Sequence, residues 1–311
     1  MKKLIALLAL LALMMTCAVA EDTELPAPES VVTPLPIDFS AGHAADPALF
    51  TEDGYEDESI TVQMYREWVG DARYNVAYVS IADPSQLRTG LAAPLGKKKT
   101  NKISAIAADC NAVIAIGGDY YSDRTSGYVV RQGDEYRYKP AKTCDALMID
   151  VRGDFHIAKA GQNDVIAAWR ESGEVVNVFN FGPALVIDGE LQTDVKKFTN
   201  FNPTGREPRC AIGQLGEREY LLVVVDGGKD RPVTCTLEDG TQKKSTGCTS
   251  EALAQFMYDK GCVQAFALDG GNSALMVFGG ENYSQKTVKA ERSVSDIIYF
   301  ATAIDFGLDA E

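Results

Sequence analysis

Apolar and polar positions divide the chain into three stretches of different character. Met1-Lys2-Lys3 precedes twelve apolar residues at positions 4–15, and Ala18-Val19-Ala20 follows before Glu21. A basic start, a short apolar run and an A-x-A site predict a cleaved secretory signal over 1–20, and the run is too short to span a bilayer. Cys17 leaves lipidation as the alternative. Between 21 and 58, five of the twelve prolines (Pro26, Pro28, Pro34, Pro36, Pro47) mix with acids and small residues. That composition predicts an acidic, Pro-rich tether. One folded domain is expected over 59–311.

Within that domain, short β-patterned runs outnumber helical ones. Ile60–Val69 and 74–81 have strand character, and Asp83-Pro84 closes the second. Four further runs end in Gly-rich turns: 113–116 in Gly117-Gly118-Asp119, 184–187 in Asp188-Gly189, 220–225 in Asp226-Gly227-Gly228, and 263–268 in Asp269-Gly270-Gly271. One helix stands out between the last two runs. Thr249 or Ser250 can cap it, Gly261 can end it, and Leu253, Phe256 and Met257 share one face. Strand, helix and strand in that order predict a crossover with two neighbouring parallel strands and both Asp-Gly-Gly turns at one sheet edge. The fold class expected is mixed α/β (α+β): a single domain of mixed β-sheet with few helices.

Charge and composition then narrow the chemistry. Forty-four acids against thirty bases give a formal charge of −14, or −16 once Lys2 and Lys3 leave with a signal. The only basic run is at 97–99, so nucleic acid is excluded as a general partner. Two histidines, His43 and His156, leave no basis for a His-rich metal site, and no metal or cofactor is expected. Six cysteines remain after a signal is removed: Cys110, Cys144, Cys210, Cys235, Cys248 and Cys262. In an exported chain an even number predicts at least one disulfide, with ordinary buried thiols as the alternative. Nucleotide-binding loops, H-E-x-x-H and G-x-S-x-G are all absent. What remains is Asp226 and Asp269 on their Gly-rich turns, with Arg206 and Arg209 flanking Pro208. Two carboxylates beside guanidinium forks suit an anionic substrate. Taken singly, an Asp-Gly is a turn and an arginine pair is a surface ion pair.

Five motifs then fall in a familiar order: Ala115-Ile116-Gly117-Gly118-Asp119-Tyr120-Tyr121, Gly205-Arg206-Glu207-Pro208-Arg209-Cys210-Ala211-Ile212-Gly213, Val225-Asp226-Gly227-Gly228, Ala267-Leu268-Asp269-Gly270-Gly271-Asn272-Ser273 and Glu291-Arg292. The sequence resembles the bacterial branch of the phosphodiester glycosidase family over roughly 74–305, including Ala82-Asp83-Pro84-Ser85-Gln86-Leu87-Arg88-Thr89 upstream. It departs where the family usually has Asn (here Gly117), Thr (Cys210) and Gly (Asn272), and where an arginine often follows the first Asp-Gly (Gly228). The resemblance implies an exported hydrolase acting on sugar-1-phosphate diesters, with a glycan or sugar phosphate as partner. By this resemblance Asp226, Asp269, Arg206 and Arg209 are catalytic. Gly118, Asp119, Gly270, Gly271, Asn272, Ser273, Glu291 and Arg292 bind substrate. The alternatives are a glycan-binding envelope protein that kept the fold without turnover, and a structural envelope protein held by its tether.

Overall fold

The computed structural model describes residues 32–139, 141–237 and 239–308. The signal expected over 1–20 and the first part of the expected tether lie outside the described residues. Three sheets turn their inner faces to one core. The largest has nine strands in the order Phe50–Thr51, Gly54–Glu56, Ile60–Val69, Ala72–Ile81, Glu219–Val225, Arg209–Gly216, Gln264–Leu268, Ala184–Ile187, Glu190–Leu191. A five-stranded sheet is built around Asp145–Asp150 and Val175–Phe181, and another around Ile114–Gly117 and Asp296–Phe300. Every ladder pairing these strands is antiparallel.

Side-chain alternation explains the layering, because each strand sends successive residues to opposite faces. Val62, Met64, Ile212, Leu222, Phe266, Leu147, Phe179, Ile116 and Ile298 meet in the central core. Each sheet then carries one helix on its outer face. Ser250–Asp259 packs on the nine-stranded sheet, Ile103–Asp109 on the Ile114–Gly117 sheet and Asn163–Ser172 on the third. Ser250–Asp259 forms where expected: Thr249 Oγ1 accepts the Ala252 amide, and Leu253, Phe256 and Met257 are buried. Such a cap is worth about 1 kcal/mol.

Three expectations are corrected. The Glu219–Val225 and Gln264–Leu268 strands are parallel but not neighbours, because Arg209–Gly216 lies between them and is antiparallel to both. The 32–58 part of the expected tether is folded. Leu35 packs beside Ile103 and Ile106, and the buried Arg88 gathers the carbonyls of Pro36, Asp38 and Ser40 at 2.8–3.1 Å. The 36–40 part is thus held by one guanidinium fork, and Phe50–Thr51 with Gly54–Glu56 forms the edge of the nine-stranded sheet, neither of which composition reveals. Finally, all six described cysteines are free thiols. Four of them fall in three packing environments: Cys210 in the central core, Cys248 and Cys262 beneath the Ser250–Asp259 helix, and Cys110 beside the Ile103–Asp109 helix. Burial pushes the Cys110 and Cys248 thiols up to about 11 and Cys262 up to about 12, which withholds the thiolate that oxidation requires.

Candidate functional site

Strand register assembles the motifs. Arg209 pairs with Val225 and Cys210 with Leu268, so Asp226, Arg209 and Asp269 arrive at the same end of the nine-stranded sheet. Both Asp-Gly-Gly turns leave there, as the sequence leads one to expect. Their carboxylates, however, have different surroundings.

Asp226 is an ion-pair partner. Its Oδ2 lies 2.7 Å from Arg73 Nε, with side-chain exposures of 0% and 5%, and its Oδ1 accepts the Gln285 amide at 2.9 Å. Burial lifts its carboxyl above the usual range while Arg73 opposes the shift. Gly227 has a packing reason of its own. Its φ is +69°, and a β-carbon there would sit 2.2 Å from the Ser245 carbonyl oxygen. The first Asp-Gly-Gly is thus a tight turn over a satisfied carboxylate.

Asp269 is the unsatisfied member. Its amide donates to the Gly118 carbonyl at 3.0 Å, while its Oδ2 is buried without a hydrogen-bond partner. The buried Ser273 Oγ is likewise unpartnered; that hydroxyl lies beside the carboxyl and favours its charged form, although the geometry closes no hydrogen bond. Burial raises the Asp269 carboxyl above its ordinary value, and the positive charges of Arg292 and Arg124 pull the other way. A desolvated carboxylate with a free oxygen and two cations in its field is the arrangement an enzyme uses to meet developing charge. Arg292 is exposed and lies over the Tyr120 ring at 5.2 Å. Arg124 donates to the Asn180 carbonyl and lies over the rings of Phe181 and Phe201 at 4.8 and 5.3 Å. The sequence reading missed Arg124, although it sits only five positions after Asp119 in the same loop.

Behind Asp269 is a buried brace. Arg131 Nη2 reaches Asp119 Oδ1 at 2.7 Å and Asp296 Oδ2 at 2.8 Å, with all three side chains at most 1% exposed. Asp119 Oδ2 accepts the Asn180 amide at 2.7 Å, so both its oxygens are engaged inside the protein. The Gly118 amide donates to the Asp296 carbonyl at 3.0 Å, which ties the brace to the carbonyl that holds Asp269. Asp119 and Gly118 therefore position Asp269 from within.

The remaining candidates divide in the same way. Arg209 is buried, and its guanidinium donates to the carbonyls of Cys248, Phe201, Asn202 and Gly205 at 2.7–3.2 Å. Arg206 donates to the Gly247 carbonyl at 3.2 Å and lies 3.8 Å from Asp71. Glu291 accepts both the amide and the hydroxyl of Ser104, in the first turn of the Ile103–Asp109 helix. In the second turn, the Gly271 amide donates to the Pro208 carbonyl and the Ser273 amide to Gly270. Asn272 Oδ1 accepts from Arg231, whose other terminal nitrogen lies 3.6 Å from Glu207. Because its backbone also exchanges hydrogen bonds with Gly228 at 3.1 Å, Arg231 joins the first Asp-Gly-Gly turn to Asn272 beside the second.

Comparison with known proteins identifies the family and the fold. The family model described as phosphodiester glycosidase matches residues 110–301, more than half of the chain and a span holding Asp119, Arg124, both Asp-Gly-Gly turns and Arg292. The SPbeta prophage-derived uncharacterized protein YomE of Bacillus subtilis (strain 168) is 29% identical over 173 residues, 55% of this chain and 24% of its own length. The chain thus spans about a quarter of that curated relative. The catalytic domain of zebrafish N-acetylglucosamine-1-phosphodiester alpha-N-acetylglucosaminidase, auto-inhibited by its pro-peptide, aligns with a TM-score of 0.61 at 15% identity, over 88% of this chain and 98% of that one. A hypothetical protein from Synechocystis aligns with a TM-score of 0.55 at 17% identity, over 78% and 62%. At these identities the structural likeness is one of fold.

Proposed function

This chain belongs to the phosphodiester glycosidase family, and we propose that it hydrolyses sugar-1-phosphate diesters between the anomeric carbon and its oxygen. The observation that carries the reading is Asp269: a buried carboxylate with an unpartnered oxygen, in the field of Arg292 and Arg124, just past the end of the Gln264–Leu268 strand. In this reading Arg124 and Arg292 hold the phosphate. The anomeric C–O electron pair leaves with a phosphate monoester, a weak base that needs little general-acid help. Ionised Asp269 stabilises the positive charge that develops at the anomeric carbon; water then bonds to that carbon, its hydroxyl staying on the sugar and its proton passing to the departed phosphate monoester.

The assignment differs from the sequence expectation in several roles: Asp119 and Gly118 position Asp269 and do not touch substrate, and Arg206 is held by the Gly247 carbonyl beside Asp71. Arg209 is a positioning residue for the 201–205 loop, because four carbonyls already take its hydrogen bonds. Asp226 holds Arg73, and Glu291 holds the Ser104 helix start. Ser273 stays at the centre beside Asp269, with Asn272 and the Gly270-Gly271 backbone at its edge. N-acetylglucosamine is the first sugar to try, because the zebrafish enzyme's name gives that sugar-1-phosphodiester as its substrate.

The test is release of reducing sugar from a panel of sugar-1-phosphate diesters, UDP-N-acetylglucosamine among them, by wild type and Asp269→Asn. Because burial raises the Asp269 carboxyl and the reaction uses it ionised, kcat/KM should fall on the acid side at a pH above 3.8, and the variant should lose that limb. Saturable binding with no turnover would move the protein to the non-catalytic glycan-binding reading. We also propose that this chemistry takes place after export, on the strength of the basic, apolar and A-x-A pattern of 1–20. The mass of the cell-free protein checks it: a chain beginning at Glu21 is expected, and one retaining 1–20 refutes it.

A further inference from the structure

We propose that a second cleft, beside the Ala72 end of the Ala72–Ile81 strand, binds a neutral sugar residue. Register places Trp68 directly across from Arg73, on the face that carries Met64 and Ala77 further along into the core. The cleft these residues line, together with Arg66, Asp53, Asp239 and Tyr283, has a volume of about 530 Å³. That lies within the range of small-molecule sites.

Arg73 identifies the ligand chemistry. It is 4% exposed, its Nε is 2.7 Å from Asp226, and its Nη2 is buried with no hydrogen-bond partner. Buried donors in folded proteins are almost always paired, so an orphan at a cleft wall needs an acceptor. Asp226 already balances the charge. What is missing is an uncharged oxygen, such as a sugar hydroxyl or an acyl carbonyl. The rest of the lining agrees: three carboxylates (Glu52 with Asp53 and Asp239) outnumber two arginines, which disfavours an anion and offers acceptors for hydroxyl groups. Trp68 and Tyr283 supply apolar ring surface, with Lys243 and Arg66 fixing the rings at 4.1 and 3.9 Å. A polyhydroxylated ring with one apolar face meets each of these features.

The chain has two tryptophans, which makes the test direct. Trp169 stacks on His156 elsewhere in the fold, so Trp169→Phe leaves Trp68 as the emission reporter. Titration with chitotriose, cellotriose and maltotriose should give a saturable change with at least one of them. Arg73→Lys keeps a charge for Asp226 and removes the orphan donor. Asp239→Ala removes an acceptor from the exposed rim. Each should weaken binding about tenfold, and Asp269→Asn should leave it unchanged. The proposal is overturned by no saturable response to any of the three, by a response only to glucuronate or inorganic phosphate, or by neutral-sugar binding that survives both substitutions.

Discussion

Replacing Asp226 and Asp269 by Asn, one at a time, separates stability from turnover. At Asp226 the change strips a buried guanidinium of its counter-charge across a 2.7 Å contact, with 0% and 5% side-chain exposure. Breaking one side of a buried pair costs about 3–5 kcal/mol. For a domain of this size 1 kcal/mol moves the melting temperature by about 2–4 °C, so Asp226→Asn should lower it by about 6–20 °C. Asp269 differs in its partners and not in the direction of its shift: burial raises both carboxyls, but neutralising Asp269 leaves no paired buried cation behind. Burial raises its carboxyl, so its folded value lies above the unfolded one. Such a group contributes stability that is complete below the unfolded value and lost as pH rises through the folded one. At neutral pH the ionised Asp269 is therefore a liability to the fold, and Asn should leave the melting temperature equal or higher. Turnover should instead fall by about 10²–10³, the usual effect of removing a preorganised charge-stabilising group. Differential scanning fluorimetry and the reducing-sugar assay read the two axes. An unchanged melting temperature in Asp226→Asn, or a destabilised Asp269→Asn that keeps wild-type turnover, refutes the division.

Three more outcomes follow from other residues. Arg124→Ala and Arg292→Ala should each lower kcat/KM on a sugar-1-phosphate diester by about 10–150-fold, the equivalent of one charge-assisted hydrogen bond; undiminished kinetics in both would move the phosphate elsewhere. Gly118→Ala puts a β-carbon 2.5 Å from Asp296 Oδ2, inside the Arg131 brace, and urea unfolding should show a loss of about 1–3 kcal/mol. Alkylation without reductant should label all six of Cys110, Cys144, Cys210, Cys235, Cys248 and Cys262 after unfolding and label them slowly before it, because burial raises their thiols; a two-hydrogen mass deficit would reveal a disulfide.

Much of the fold was legible because it rests on local chemistry. Ile60–Val69 matches its sequence expectation to the residue, and Thr249 caps the predicted helix. Ladder partners are different, since antiparallel pairing across long separations leaves no local mark. The Arg209–Gly216 strand enters between two runs that read as neighbours, and its residue Gln214 pairs with Gln264, 50 positions further on. The folded 32–58 segment is illegible for a related reason: its 36–40 part is held by Arg88, about 50 positions downstream, and its 50–56 part by pairing onto Ile60–Val69.

The site was legible as a set of residues and illegible as a division of labour. Asp226-Gly227-Gly228 and Asp269-Gly270-Gly271 are the same three residues on the same sheet edge, so sequence alone gives them the same part. Arg73 breaks the tie by reaching one carboxylate, and nothing near Asp269 reaches the other's equivalent oxygen. The arginines show the same principle. Arg209 lies in a motif and is held by carbonyls, whereas Arg124 lies in a loop without a motif of its own and bears on the unsatisfied carboxyl. Saturation therefore decides between them. On the proposed reading the carboxylate whose hydrogen bonds are complete inside the protein, Asp226, holds the fold, and the buried one left with an open valence, Asp269, meets the substrate.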